Sequence, residues 1–273
     1  MINLEIFCIC IHNKLLNKIK EIDYTPVGLG SDTFSEEWTR DNSGINISSK
    51  NKFYGELTFH YWFWKNKLQN YSKNEWFAIC HYRRFFLKDK IDMSMNIEIE
   101  LNTLKSKLIY QPLDNWKDCD VVLCEPTNLG NQKKMKLIKR GFKSLIKNPL
   151  IFFDKKKHNI KLHFDMFHGY GNLDKAINML STDDKKDFED YVNINTSFSA
   201  NIMYLSNNVK IIDQFYSSLF GWLEKCEQIF GLKETNVYGL RRMYTFLAER
   251  YTSFWFEKYS KVKYAPWLFR DFT

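Results

Sequence analysis

One feature constrains this chain more than any other: a buried-strand pattern that is followed directly by four polar residues. It lies in the stretch NEWFAICHYRRFFLK. The apolar residues 77–80 predict a strand in the core of a sheet. His81, Tyr82, Arg83 and Arg84 follow at its end, and in an extended chain they point alternately to the two faces. Two adjacent guanidiniums are costly to bury unpaired, so this strand end predicts an anion site. A structural network with buried carboxylates is the alternative.

The order of strand and helix patterns predicts an α/β fold. Residues 4–11 (LEIFCICI) and 119–126 (CDVVLCEP) are further core-strand patterns, and apolar residues recur at helical spacing over residues 54–68. Amphipathic helices are predicted over residues 171–180, 209–230 and 238–259, with a strand over 198–205. Ligands of such folds bind beyond the carboxyl ends of the strands.

Composition favours one globular domain in a reducing compartment. The chain has 273 residues, of which 44% are hydrophobic, enough for a sizeable core. Its six cysteines have no metal-ligand spacing, which favours buried free thiols over a zinc site or disulfides. The sequence has no signal-peptide pattern and no run of about 18 apolar residues. We therefore expect a cytoplasmic protein that does not span a membrane.

The net charge of +8 comes from one segment. Residues 131–161 hold eleven lysines and arginines against Asp154 alone, or +10, which leaves about −2 for the rest of the chain. A nucleic-acid-binding protein spreads basic and aromatic residues over a surface, so this distribution argues against a nucleic-acid partner.

The basic segment itself has the pattern of a helix that lies on a membrane surface. Within residues 136–147 an apolar stripe is flanked by cationic residues, and the stripe consists of Leu137, Ile138, Phe142, Leu145 and Ile146. Such an insert predicts binding to an anionic membrane, peripherally on its inner face. An ordinary packed helix with a solvated lysine face explains the pattern equally well.

A polar segment with several glycines, following the first strand, is a second candidate ligand site. Its candidate residues are His12, Gly28, Arg40, Asp41, Asn42, Gly44, Asn46, Ser48 and Asn51. Carboxylate and amide groups can bind a base or a ribose, glycine lets the backbone approach a ligand, and amides at a helix start can bind phosphate. An Asx-turn with a helix cap at Ser48 or Ser49 uses the same residues without a ligand.

These blocks resemble a bacterial family that is associated with capsular and O-antigen polysaccharide biosynthesis and long catalogued as a domain of unknown function. The similarity rests on RDNSGINISSKNKFYGELTFHYWFWKN, HYRRFF, FSANIMYL and RRMYTFLAERYTSFW, and it covers roughly residues 4–125 and 162–256. It implies a GT-A-like, Rossmann-like mixed sheet flanked by helices, with a helical C-terminal portion. One such domain would span residues 1–273, with residues 131–161 as an insert.

The resemblance also implies how the HYRR tetrad would act. In a GT-A enzyme a metal-binding Asp-x-Asp ends a central strand, and here HYRR stands at that place. We infer that its guanidiniums take the role of the metal ion and neutralise the leaving diphosphate. Neither a metal nor another cofactor is therefore expected. Asp118 and Asp120 do form an Asp-x-Asp, but they precede their apolar run, which indicates the start of a strand.

Candidates for the remaining roles come from two later blocks. In HFDMFHGYGNLD, His168 and Asp165 are candidate bases that would deprotonate an acceptor hydroxyl. Four residues are predicted to bind the acceptor or to form structural ion pairs, namely Asn201, Arg242, Glu249 and Arg250.

The resemblance thus implies a glycosyltransferase. It would move galactofuranose or another hexose from a UDP-linked donor to a growing capsular, O-antigen or lipooligosaccharide glycan, which is free or lipid-linked. The alternative is a non-catalytic basic protein that binds nucleic acid or an anionic membrane.

Overall fold

A computed structural model of the protein describes residues 3–91, 100–131 and 157–273, together with residues 146, 149 and 154. The predicted insert spans residues 131–161, and its residues 132–156, which include the predicted membrane-surface helix, lie outside the described residues apart from residues 146, 149 and 154.

Strands and helices alternate through most of the chain. The strands are β1 Leu4–Cys10, β2 Thr25–Gly28, β3 Thr39–Arg40, β4 Trp76–His81, β5 Arg84–Phe86, β6 Val121–Cys124, β7 Thr127–Asn128, β8 Ser197–Phe198, β9 Tyr204–Ser206, β10 Val262–Ala265 and β11 Trp267–Phe269. The helices are α1 Leu16–Glu21, α2 Asn51–Tyr54, α3 Leu57–Asn66, α4 Leu101–Lys107, α5 Ile160–His168, α6 Asn172–Ile177, α7 Thr182–Ile194, α8 Val209–Phe230, α9 Tyr238–Arg241 and α10 Met243–Tyr259.

Nine of the described strands form one mixed sheet. Its order is β10-β6-β9-β4-β1-β2-β3, and β5 with β11 extends it from β4. β1 runs parallel to β2 and β4, whereas β9 is antiparallel to both β4 and β6. The carboxyl ends of β1, β2 and β4 therefore meet at one edge, which is where ligands of such sheets bind. This architecture confirms the predicted α/β class.

The core lies on both faces of the sheet because the central strands are apolar on both sides. In β1, Phe7 and Ile9 pack in one cluster with the long helices α8 and α10. Ile6, Cys8 and Cys10 point the other way, into a cluster with α1 and α4. This explains why residues 6–10 (IFCIC) are continuously apolar instead of alternating.

Gly55 interrupts the helix that was predicted over residues 54–68. It has φ +56° and ψ −133°, a backbone conformation that other residues rarely adopt, and it separates α2 from α3. Asn51 Nδ2 and Thr58 Oγ1 each donate to the Gly55 carbonyl, at 3.0 Å. The break brings Gly55 and Glu56 to the sheet edge where β1 and β4 end.

The predicted strand 198–205 is two separate strands. β8 pairs with β7, and β9 joins the main sheet. Between them Ser199 N donates to Ser253 Oγ at 2.9 Å, and Ser199 Oγ donates to the Cys124 carbonyl at 2.6 Å. Side chains thus take the place of ladder hydrogen bonds there.

All six cysteines are buried and free, as predicted. Within the described ranges, no helix combines the length and apolar character needed to cross a membrane.

Candidate functional site

Two adjoining cavities open at the sheet edge where β1, β2 and β4 end. The loop cavity, of about 1010 Å³, is lined by residues that follow β1 and β2 and by parts of the segment 40–52. The hairpin cavity, of about 680 Å³, is lined by the β4–β5 turn, the α2–α3 junction and α10. Six lining residues are shared, namely Ile11, Leu29, Asn51, Lys52, Arg241 and Arg242. These volumes suit a small-molecule ligand.

The HYRR tetrad forms a tight hairpin at this edge. His81 ends β4 and pairs with Arg84 at the start of β5, which leaves Tyr82 and Arg83 as a two-residue turn. The expected alternation of the four side chains between two faces is therefore wrong, because the turn reverses the chain and cross-strand partners share a face. All four residues line the hairpin cavity.

The C-terminal strand β11 holds this hairpin from its outer side. It pairs with β5, and Arg270 N donates to the Arg83 carbonyl at 2.9 Å. Arg83 Nη1 donates to Asp271 Oδ2 at 3.3 Å. The Arg84 guanidinium lies 5.9 Å from the Phe269 ring and has no carboxylate at ion-pair distance in the described part of the chain. Of the two arginines, Arg84 is thus the less neutralised.

Cationic side chains outnumber carboxylates in the hairpin cavity. Five of them line it, against Glu56 and Glu249, and they are Lys52, Arg83, Arg84, Arg241 and Arg242. His81 adds no charge at neutral pH, because burial, together with neighbouring arginines, lowers its pKa to about 3. This excess of positive charge suits a multiply charged anion.

Part of this cationic lining was not predicted from the sequence. Arg241 lines both cavities, and its Nε is buried without a hydrogen-bond partner among the residues described. Arg242 donates from Nη1 to Tyr238 Oη at 3.2 Å, and its guanidinium lies beside Gly55. The available signal was the arginine pair in YGLRRM, which resembles the pair in HYRR. Lys52 and Glu56 were also absent from the predicted site.

The loop cavity is lined by most of the candidate residues of the polar segment that follows the first strand. They are His12, Arg40, Asp41, Asn42, Ser48 and Asn51. Asp41 is buried, which raises the pKa of its carboxyl, and its Oδ2 has no hydrogen-bond partner among the described residues. The Arg40 guanidinium lies 4.5 Å from the Phe34 ring. Asp41 thus offers an unused acceptor to a ligand.

Three predicted residues of this segment shape the loop and line neither cavity. Asn46 Oδ1 accepts from Ser48 N and Oγ, at 3.2 and 2.8 Å, which is the Asx-turn that was weighed as an alternative. Gly44 has φ +55°, and a side chain there would collide with Asn66. A Cβ at Gly28 would lie 2.5 Å from the Phe34 ring.

Glu249 is the carboxyl with the most unusual surroundings in the hairpin cavity. Its Oε2 accepts from Arg250 Nη1 at 2.6 Å. Burial raises the pKa of Glu249 to about 7, with a further contribution from Glu56, while Arg250 and Arg84 oppose the rise. A carboxyl with such a pKa can exchange protons at neutral pH.

His168 and Asp165, the predicted bases, line neither cavity. The His168 ring is buried and stacks on Phe246, with the ring centroids 3.9 Å apart. Asp165 Oδ1 accepts from Gly171 N at 3.2 Å, at the α5–α6 junction. Phe246 does line the hairpin cavity, so it stands between His168 and that space.

Arg242 and Glu249 line the hairpin cavity, whereas Asn201 and Arg250 are buried away from both cavities. The Asn201 amide nitrogen lies 3.9 Å from Cys124 Sγ. Arg250 contacts two residues that line the hairpin cavity, Glu249 and Phe246.

The Asp-x-Asp of residues 118–120 lies at the opposite sheet edge. Asp120 precedes β6, and its carboxylate accepts from Asn208 Nδ2 and Lys261 N, both at 2.8 Å. These contacts tie the amino ends of β6 and β10 together. Within the described ranges, no group of three or more potential metal ligands is found.

Comparisons with known proteins agree with this architecture. A family model described as Domain of unknown function (DUF4422) matches residues 6–261. The apo structure of the bifunctional glycosyltransferase WbbM is similar, with a TM-score of 0.63 at 17% sequence identity. The match covers 98% of this chain but only 45% of that chain, so this chain spans less than half of WbbM's length. The fold is therefore GT-A-like. No curated protein matches the chain.

Proposed function

We propose that this chain, which belongs to the DUF4422 family, is a metal-independent glycosyltransferase that takes a hexose, such as galactofuranose, from a UDP-linked donor. The observation that carries the proposal is the excess of guanidiniums in the hairpin cavity. A leaving nucleoside diphosphate needs two or more positive charges near it as the glycosidic bond breaks. Arginine forks match phosphate oxygens and can supply that charge.

The donor would lie across the two adjoining cavities. The nucleoside fits the loop cavity, where Asp41 Oδ2 is an unused acceptor for a ribose hydroxyl or a base N–H. The diphosphate would lie between the two arginine pairs, because Arg241 and Arg242 line both cavities while Arg83 and Arg84 line the second. The hexose then reaches the side of the hairpin cavity where Glu56 and Glu249 lie.

Glu249 is the acid–base group of this proposal, in place of His168 and Asp165, which line neither cavity. Its carboxylate takes the proton of the acceptor hydroxyl as that oxygen bonds to the anomeric carbon. The bond from that carbon to the diphosphate breaks, and the diphosphate leaves with the electron pair. A pKa near 7 leaves the carboxyl partly ionised at neutral pH and gives it useful basicity.

The acceptor and the place of action follow from the sequence resemblance. We propose a growing capsular, O-antigen or lipooligosaccharide glycan, carried on a lipid at the cytoplasmic face of the inner membrane. The basic segment 131–161 would bind the anionic surface there.

Donor hydrolysis tests the proposal without knowledge of the acceptor. Purified protein is incubated with a panel of UDP-hexoses, and release of UDP is measured with and without excess EDTA. We expect turnover of one donor class that is unchanged by EDTA. Loss of activity in EDTA and recovery with manganese would contradict the metal-independent mechanism. Tight binding of single-stranded RNA without UDP binding would instead support a non-catalytic basic protein.

A further inference from the structure

The buried Arg250 and two half-buried side chains, Glu249 and His163, form a chain of hydrogen bonds that begins at the hairpin cavity and runs into the protein. Glu249 lines the cavity, and Arg250 follows it on α10. Arg250 Nη1 donates to Glu249 Oε2 at 2.6 Å and to the Phe246 carbonyl at 3.0 Å. Arg250 Nη2 lies 2.9 Å from Nδ1 of His163 on α5. Arg250 therefore joins the cavity carboxyl to a second helix.

The contact with His163 has a defined direction. A guanidinium has only donors, so Nδ1 of His163 must be the acceptor. Burial, assisted by Arg250, lowers the pKa of His163 to about 3, which keeps the ring neutral. The ring proton then lies on Nε2. His163 thus accepts from Arg250, and Arg250 donates to Glu249.

The Arg250 guanidinium is enclosed by apolar rings. It is 1% exposed and lies 4.8 Å from the Phe198 ring and 5.5 Å from the Phe164 ring. In the described part of the chain, Glu249 is its carboxylate partner. Protonation of Glu249 would leave a buried guanidinium without a counter-charge, which is strongly unfavourable. Arg250 therefore favours the ionised form of Glu249.

We propose that Arg250 and His163 are positioning residues for Glu249, a role that rests on the proposed function. Arg250 fixes Oε2 and keeps the carboxyl ionised, while His163 fixes the plane of the guanidinium. Oε1 accepts no hydrogen bond from any described residue, so it is available in the cavity for the acceptor hydroxyl. One oxygen is held and the other is left to react.

Other charged groups around Glu249 come from several elements. Glu56, at the α2–α3 junction, favours the protonated form, and Arg84 on β5 favours the ionised form. The same cavity is lined by Lys52, Arg83, Arg241, Arg242 and the neutral His81. Among the described residues, Arg250 is the one that donates to the Glu249 carboxylate. Replacement of Arg250 therefore removes the hydrogen bond to Glu249 and leaves the other charged groups around Glu249 in place.

The pH dependence of donor turnover separates positioning from mere packing. Arg250→Met removes the charge and keeps an elongated apolar side chain between the Phe164 and Phe198 rings. We expect the acidic limb of kcat/KM to move upward by about one pH unit, which is about a tenfold loss of ionised carboxyl below the limb. The Kd of UDP should stay at the wild-type value. A limb that stays in place would overturn the proposal.

A second pair of variants keeps the proposal testable if Arg250→Met does not fold. His163→Asn retains an acceptor near the position of Nδ1, and His163→Leu has none. We expect the Asn variant to keep the wild-type pH profile and the Leu variant to lose kcat and move its acidic limb upward. Equal profiles for both variants, with only a lower Tm for Leu, would reduce His163 to a packing role.

A readout without substrate distinguishes this inference from the proposed function. The side-chain carboxyl carbon of Glu249, assigned by comparison with Glu249→Gln, is titrated by carbon NMR in ¹³C-labelled protein. We expect its midpoint near neutral pH in the wild type and at higher pH in Arg250→Met. If no UDP-hexose is turned over but the midpoint moves as expected, the proposed function fails while the link between Arg250 and Glu249 stands. An unmoved midpoint contradicts the link itself.

Discussion

His81 and Arg84 lie directly opposite each other across a two-residue turn, as the last residue of β4 and the first of β5. The pairing places a neutral imidazole and a guanidinium on the same face of the sheet, at the wall of the hairpin cavity. It also sends Arg83 to the tip of the turn, within reach of Asp271. The two adjacent arginines thus have different electrostatic surroundings.

Replacement of Arg84 should weaken diphosphate binding more than replacement of Arg83. For Arg84→Met we expect a loss of about 1.5 to 3 kcal/mol in UDP binding, the range of a charge-assisted contact. Arg83→Met should cost less, because Asp271 already neutralises part of its charge. Calorimetry with UDP and with uridine checks this. Equal loss for both ligands would show that the hairpin does not bind the diphosphate.

Asp271→Asn should have the opposite effect on UDP affinity. The ion pair between Arg83 and Asp271 is about one-third exposed on each side, 37% and 35%, so its energy is small. Release of Arg83 from the carboxylate should tighten UDP binding by about 0.5 kcal/mol, or two- to threefold. The affinity for uridine, measured in parallel, should not change. Weaker UDP binding would indicate that Asp271 holds Arg83 in its binding position.

Gly55→Ala should destabilise the protein and weaken UDP binding together. A Cβ there would lie 3.0 Å from Thr245 Oγ1 and 3.1 Å from Arg242 Cζ, and the residue has φ +56°. We expect a loss of about 1 to 3 kcal/mol in the free energy of unfolding, measured with urea, and a displaced Arg242. Gly221→Ala is the matched control, because it lies within α8 with open space around the added methyl. The control should be neutral or stabilising by up to about 1 kcal/mol. Unchanged stability of Gly55→Ala would mean that the α2–α3 break tolerates a side chain.

Continuous apolar runs were sufficient to predict the central strands, because a strand that is buried on both faces needs apolar side chains at successive positions. IFCIC and FAIC are buried on both faces, as the pattern requires. The turn after His81 had no such local signal: Tyr-Arg is not a typical turn sequence, and β11 pairs with β5 from nearly two hundred residues away. Tertiary pairing, not local propensity, reverses the chain there.

The same distinction between local signals and tertiary packing explains which residues of the candidate site could be predicted. Arg40, Asp41 and the HYRR residues lie at predicted strand ends and loops, so sequence position alone suggested them. Glu249 was predicted as an acceptor-binding or structural residue and Arg241 was not predicted, because which face of a C-terminal helix lines a cavity depends on packing that a single sequence does not contain. His168 has the chemistry of a base, but Phe246 separates it from the cavity.

Wild-type protein should gain stability relative to Glu249→Gln as the pH falls from 8 to 4.5. Burial raises the pKa of Glu249 from 4.5 to about 7, so the folded state binds this proton more tightly than the unfolded state. Its stabilising contribution is fully present below pH 4.5 and is lost as the pH rises through about 7, a change of about 3 kcal/mol. Urea unfolding at several pH values measures the difference. Glu189→Gln, an exposed carboxyl on α7, is the control variant. Parallel pH profiles for wild type and Glu249→Gln would contradict the raised pKa.

Replacement of residues 133–147 by a short Gly-Ser linker should abolish binding to anionic vesicles and preserve folding. The segment, which lies outside the described residues apart from Ile146, carries most of the +10 charge between residues 131 and 161. Each lysine near an anionic surface contributes about 1 kcal/mol of attraction, so binding should also fall steeply with salt. Lys185→Gln with Lys186→Gln, on α7, removes two charges elsewhere and should leave vesicle binding intact. Cosedimentation with phosphatidylglycerol vesicles, alongside thermal unfolding, makes the test. A linker variant that binds vesicles like the wild type, or that unfolds, would show that these lysines solvate an ordinary packed helix.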